Sequence, residues 1–95
     1  MIIVITLPYF IEREAERIVQ HLAHVDLIHL RKPESTSDEM ERLIRDIPAE
    51  YHSRLVLHDH HHLAVKYGLY GIHLNSRNQF LHKGGKVASA EAAIL

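Results

Sequence analysis

Three short apolar runs in this chain end in groups that do chemistry: Leu27-Ile28-His29-Leu30-Arg31-Lys32, Leu55-Val56-Leu57-His58-Asp59 and Tyr70-Gly71-Ile72-His73-Leu74-Asn75. Each reads as a buried strand that stops at an imidazole. Imidazole moves protons and ligates metals near neutral pH, and a guanidinium such as Arg31 grips phosphate bidentately. Parallel α/β sheets collect their chemistry at the carboxyl ends of the strands, so the three endings point to one site. His29 and Arg31, two residues apart on a strand, face the same side. Arg31 reads either as a phosphate ligand or as a surface cation paired with Glu34 or Asp38.

The densest cluster is His58-Asp59-His60-His61-His62. Imidazole and carboxylate together bind metals such as zinc, which makes His58, Asp59, His60 and His73 one candidate set. Adjacent residues on a strand alternate faces, however, so few of the five can converge. The competing reading is a strand-to-helix turn with solvated imidazoles. His73 reads either as a site residue or as a hydrogen-bonded core histidine. Asn75, Ser76, Arg77 and Asn78 follow it as a loop with donors suited to a phosphate or a sugar.

The elements that must position these groups alternate. Ile2 to Thr6 is a continuous β-branched run, expected as a strand buried on both faces. Ile11, Ala15, Ile18, Val19 and Leu22 recur at helical spacing, with Glu12, Arg13, Glu14, Glu16, Arg17 and Gln20 on the polar face. Leu27 to Leu30 is the second strand. Thr36 and Glu39 have capping-box spacing, ahead of the apolar face Met40, Leu43, Ile44 and Ile47, and Pro48 closes that helix. Leu55 to Leu57 is the third strand, His60 to Tyr67 a short helix with Gly68 at its C′ position, and Gly71 to Leu74 the fourth strand. From Arg77 onward the pattern is poorly defined. Val87 to Leu95 is Ala-rich and suggests a strand start running into a helix. Connections this long exclude hairpins and predict a parallel sheet.

The whole chain, 1–95, is expected to be one domain. The net charge of −1 gives no general attraction to nucleic acid or to an anionic membrane. No cysteine is present, so disulfides and thiolate metal sites are excluded. The apolar start is too short for a signal peptide and no run approaches a membrane span, so the expected location is the cytoplasm. Six of the ten histidines lie between His52 and His73, a local enrichment. The phosphate-binding P-loop, the dinucleotide glycine fingerprint, the His-Glu-x-x-His helix and the nucleophile elbow are all missing.

Four parallel strands with three helices suit either a small doubly wound domain or half of a (β/α)8 barrel, which typically takes about 250 residues. Half a barrel has two open strand edges, and open edges associate.

Taken together, the three clusters resemble the thiamine phosphate synthase/TenI family from about Ile2 to Asn78, the first half of a family member. His29-Leu30-Arg31-Lys32-Pro33 is similar to the family's Gln-Leu-Arg-x-Lys, with His29 for Gln, Pro33 for Lys, and Lys32 one position early. His58-Asp59 stands for the family's Asn-Asp, and Gly71-Ile72-His73-Leu74 for its Gly-Val-His-Leu. Asn75-Ser76-Arg77-Asn78 stands for Gly-Gln-x-Asp. The resemblance implies the first half of a (β/α)8 barrel: a partial-barrel β-α-β-α-β-α-β domain followed by a less regular C-terminal segment. It implies a role in thiamine biosynthesis, where the synthase couples hydroxymethylpyrimidine diphosphate to thiazole phosphate. Phosphorylated pyrimidines and thiazoles are the implied ligands. His29, Arg31, Lys32, His58 and Ser76 would bind substrate, with His73 and Asn75 as further candidates. Asp59 would be a magnesium ligand, and Asn78 replaces the second. These departures imply a truncated or divergent member with weak activity or none. The alternatives are a TenI-like thiazole tautomerase relative and a non-enzymatic half-barrel that binds phosphate ligands, self-associates or pairs with a complementing half.

Overall fold

A computed structural model describes residues 1–74 and the strand Ala93–Ile94. In chain order the elements are β1 (Ile3–Ile5), α1 (Glu14–Leu22), β2 (Leu27–Leu30), α2 (Ser37–Asp46), a 3-10 helix (Ala49–Arg54), β3 (Leu55–Leu57), α3 (His62–Lys66), β4 (Gly71–Ile72) and β5 (Ala93–Ile94). The strands form one sheet in the order β4-β3-β2-β1-β5, and every pairing is parallel. The expected α/β fold of parallel β-α repeats is therefore the fold observed. Among the described residues no helix is long and apolar enough to cross a membrane.

The packing chooses between the two architectures that four strands and three helices allow. Ile18 and Leu22 of α1, Met40, Leu43 and Ile44 of α2, and Leu63 and Ala64 of α3 share one core cluster. The sheet residues in that cluster are Ile28, Leu30, Leu55, Leu57 and Ile72. By strand alternation these five lie on one face of the sheet. All three helices thus cover the same face, as on the outside of a barrel, whereas a doubly wound sheet carries helices on both. The opposite face takes Leu27, His29 and Val56, which are also buried.

Local sequence signals account for the helix ends. Thr36 Oγ1 accepts from the Glu39 backbone N–H at 3.1 Å, and Glu39 Oε1 accepts from the Thr36 N–H at 2.9 Å, closing the capping box. At the other end of α2, the buried His52 donates from Nε2 to the carbonyls of Ile44 (2.9 Å) and Ile47 (2.8 Å). Arg54 does the same for α1, donating to the carbonyls of Leu22 (2.6 Å), Val25 and Asp26 (3.2 Å). A helix C-terminus leaves carbonyls unsatisfied and carries partial negative charge, which a cation answers on both counts. Helix α3 begins at His62 rather than His60 because His60 has left-handed backbone (φ 56°). Gly68, at φ +63°, ends α3 where a side chain would be strained.

Three expectations change. β1 is half-buried along its length rather than buried on both faces. Its edge, expected to be open, is covered by β5, with Val4 opposite Ala93 and Ile5 opposite Ile94. Glu14, placed by periodicity on the solvated face of α1, is buried. Of the Ala-rich segment only Ala93–Ile94 is described, as strand. Asn75, Ser76, Arg77 and Asn78 lie outside the described residues.

Candidate functional site

The parallel register brings three of the predicted side chains together. His29 is the third residue of β2, His58 follows β3, and His73 follows β4. The backbone ladder continues past the strands: the His58 N–H donates to the Leu30 carbonyl, and the His73 N–H to that of Leu57 at 2.8 Å. Alternation puts all three side chains on the face away from the helices. There the rings of His58 and His73 stack with centroids 4.2 Å apart. The His29 ring meets His58 edge-on at 5.1 Å and His73 at 5.6 Å. His29 Nδ1 lies 2.9 Å from His58 Nε2, one nitrogen donating to the other.

His29 is wholly buried, and its Nε2 has no hydrogen-bond partner among the described residues. Burial, reinforced by the neighbouring His73, pushes its pKa down to about 4. At neutral pH His29 is therefore an uncharged imidazole with one nitrogen committed and the other unspent.

The rest of the dense histidine run disperses. His60 Nε2 donates to the Ser35 carbonyl at 3.0 Å and lies 3.2 Å from the Ser35 hydroxyl. His62 Nε2 lies 2.9 Å from Ser37 Oγ. His61 turns back to donate to the carbonyl of His58 at 3.2 Å. The candidate set His58, Asp59, His60 and His73 is thus not the group that converges. His29 takes the place of His60 and Asp59.

Arg31 and Lys32, adjacent in sequence, part company. The Arg31 backbone is clipped to β1 through the buried Thr6, whose Oγ1 accepts from the Arg31 N–H at 3.1 Å. Its half-exposed guanidinium makes no hydrogen bond or ion pair with any described residue, Glu34 and Asp38 included. Lys32 is buried instead. Its ammonium donates to the carbonyls of Leu7 (2.7 Å) and Tyr9 (2.6 Å) and to Glu14 Oε2 (2.5 Å), and it sits 5.2 Å from the centre of the Phe10 ring. All three ammonium protons have protein acceptors, so Lys32 as placed offers none to a substrate. Nothing local in the sequence distinguishes these two cations. Pro33 directs the chain after them, but the partner of Lys32 lies eighteen residues away.

A groove lined by Phe10, Arg13, Glu39 and Arg42 opens between α1 and α2. It belongs to the helical layer and includes none of the strand-end residues.

The crystal structure of thiamine phosphate pyrophosphorylase from Bacteroides thetaiotaomicron is similar to this chain, with 40% sequence identity and a TM-score of 0.82. The match covers 90% of this chain and 45% of that one, as an N-terminal half would. The resemblance to the thiamine phosphate synthase family is borne out. The chain spans less than half the length of the protein it matches. No protein-family model matches it, and no curated protein does. The sheet with helices on one face is accordingly similar to half of the thiamine phosphate synthase barrel. In that frame the imidazoles lie on the inner face and Arg31 lies at the strand-end rim.

The magnesium implied by the resemblance finds a poor donor set here. Magnesium takes oxygen ligands in near-octahedral geometry, usually carboxylates and water. Of the two implied carboxylates the chain keeps Asp59, while the groups that converge beside it in sequence are nitrogen donors. Among the described residues, the donors that converge do not suit magnesium.

Proposed function

We propose that the strand-end rim of this chain binds phosphate esters of the thiamine pathway, with weak or no coupling activity of its own. The observation that carries this reading is the Arg31 guanidinium, unpaired among the described residues, at the end of β2 in a chain 40% identical to the thiamine phosphate pyrophosphorylase structure over the matched region. In the coupling reaction the thiazole nitrogen displaces pyrophosphate from the pyrimidine methylene. Negative charge accumulates on the departing group, and a fixed guanidinium is suited to stabilise it. The weakness follows from what surrounds Arg31. Lys32 is spent inside the protein, and the implied magnesium pair is reduced to one carboxylate.

Calorimetric titration with pyrophosphate tests the binding half. The wild-type chain should bind it, and Arg31→Ala should weaken binding about ten- to a hundredfold, the loss of a charge-assisted contact. Equal affinity in the two proteins would refute the role of Arg31. Thiamine phosphate formation at a rate ordinary for the family, assayed on the purified chain, would refute the weak activity.

A second reading, a self-associating half-barrel, is favoured by one observation. β4 pairs with β3, and its other edge has no partner among the described residues. Such an edge is a template for another strand. Light scattering over a concentration series should show a dimer or larger species. A compact monomer throughout would count against it.

A further inference from the structure

The three converging imidazoles have a use that neither phosphate binding nor coupling requires. We propose that His29, His58 and His73 form a binding site for a divalent transition-metal ion of the zinc type. The site stands independently of the proposed function, because it rests on nitrogen donors and not on Arg31.

The geometry argues for it in three steps. One ring nitrogen from each histidine lies within 4.8 Å of the others. Zinc–imidazole bonds are about 2.0–2.1 Å long, which sets ligand nitrogens roughly 3.4 Å apart around a tetrahedral ion. Side-chain movement of about an ångström closes the cluster. Next, one donor lies in β2 and the other two are the first residues after β3 and β4, where the backbone hydrogen bonds of the parallel ladder continue and fix their origins. Finally, His29 Nε2 is buried without a partner among the described residues. A core histidine kept only for packing would normally satisfy both nitrogens, since an unmet buried polar atom costs about 1–3 kcal/mol. Metal ligation by His29 removes that cost.

Imidazole is a borderline donor that suits zinc, copper, nickel and cobalt. The described residues supply three ligands, and a fourth tetrahedral position held by water or an anionic ligand would give the arrangement of catalytic rather than structural zinc. The dense run that first suggested a metal contributes only His58.

The test is titration of chelator-stripped protein with zinc chloride by calorimetry. The expected result is one ion per chain at micromolar or tighter affinity, unaffected by excess magnesium. His29→Ala, His58→Ala and His73→Ala should each weaken binding by at least about tenfold. His60→Ala and His62→Ala, which alter contacts to Ser35 and Ser37, should leave it within about twofold. X-ray absorption on the zinc-loaded wild-type chain decides the matter even if a variant fails to fold: three imidazole scatterers are expected. Absence of zinc binding by the wild type, loss of binding in His60→Ala or His62→Ala, or fewer than three imidazoles on the ion would overturn the assignment.

Discussion

Glu14→Ala should lower the unfolding free energy by about 3–5 kcal/mol, the usual result of stripping a buried charge of its partner. The Lys32–Glu14 pair is 2.5 Å long, with the two side chains 1% and 6% exposed. Burial already pushes the Lys32 pKa below its ordinary value, and the hydrogen bond and charge of Glu14 oppose that shift. Without the carboxylate, the ammonium keeps two backbone carbonyls but no counter-charge. It must either give up its proton inside the protein or drag the β1–α1 loop open to reach water. Domains of this size hold only about 5–15 kcal/mol in all, so the variant should approach the folding threshold.

A double-mutant cycle identifies the cause. Lys32→Met with Glu14→Ala removes both charges at the same change in packing around Glu14, and replacing a buried ion pair by neutral groups is often close to neutral. The double variant should therefore be more stable than Glu14→Ala alone, by urea denaturation. Equal losses in both would show that packing around Glu14, and not the stranded charge, sets the cost.

The second large effect is acid destabilisation centred on His29. Its folded pKa is about 4 against an ordinary 6.5. Between those values the unfolded chain takes up a proton at this position and the folded chain does not. The contribution is complete above about pH 6.5, and it falls away as the pH drops, until His29 itself protonates near pH 4. At about 1.36 kcal/mol per unit the total is on the order of 3–3.5 kcal/mol. Among the described residues, the rings facing His29 are those of His58 and His73. Urea unfolding of chelator-treated protein at intervals from near neutral to about pH 4.5 measures the slope. His29→Gln, which keeps a polar side chain but removes the titrating ring, should flatten it. An unchanged slope in that variant would assign the acid sensitivity to other groups.

Local order was legible in the sequence. The bounds of β2 and β3, the Thr36–Glu39 box and the Gly68 stop rest on signals within a few residues of one another, where propensity and capping act. The convergence of His29, His58 and His73 was legible for a different reason: parallel strands put their ends at one level, so topology does the work. What stayed hidden depends on long-range pairing. Glu14 has the periodicity of a solvated residue, and only the fold brings Lys32 to it. His52 and Arg54 lie in a stretch without strong periodicity, yet they satisfy carbonyls at the ends of two helices. The edge of β1 is covered by residues from the far end of the sequence, in a segment with weak strand signals.

The hydrogen bonds of His60 to Ser35 and of His62 to Ser37 join the connection after β2 to the connection after β3. Two loops that would otherwise fluctuate separately are tied at two points. Ordering flexible segments on binding subtracts from affinity, and prior ordering removes that penalty. A ligand arriving at the rim meets a surface whose shape is already set. Loosening either tie should therefore show first as faster dissociation, with the encounter rate little changed.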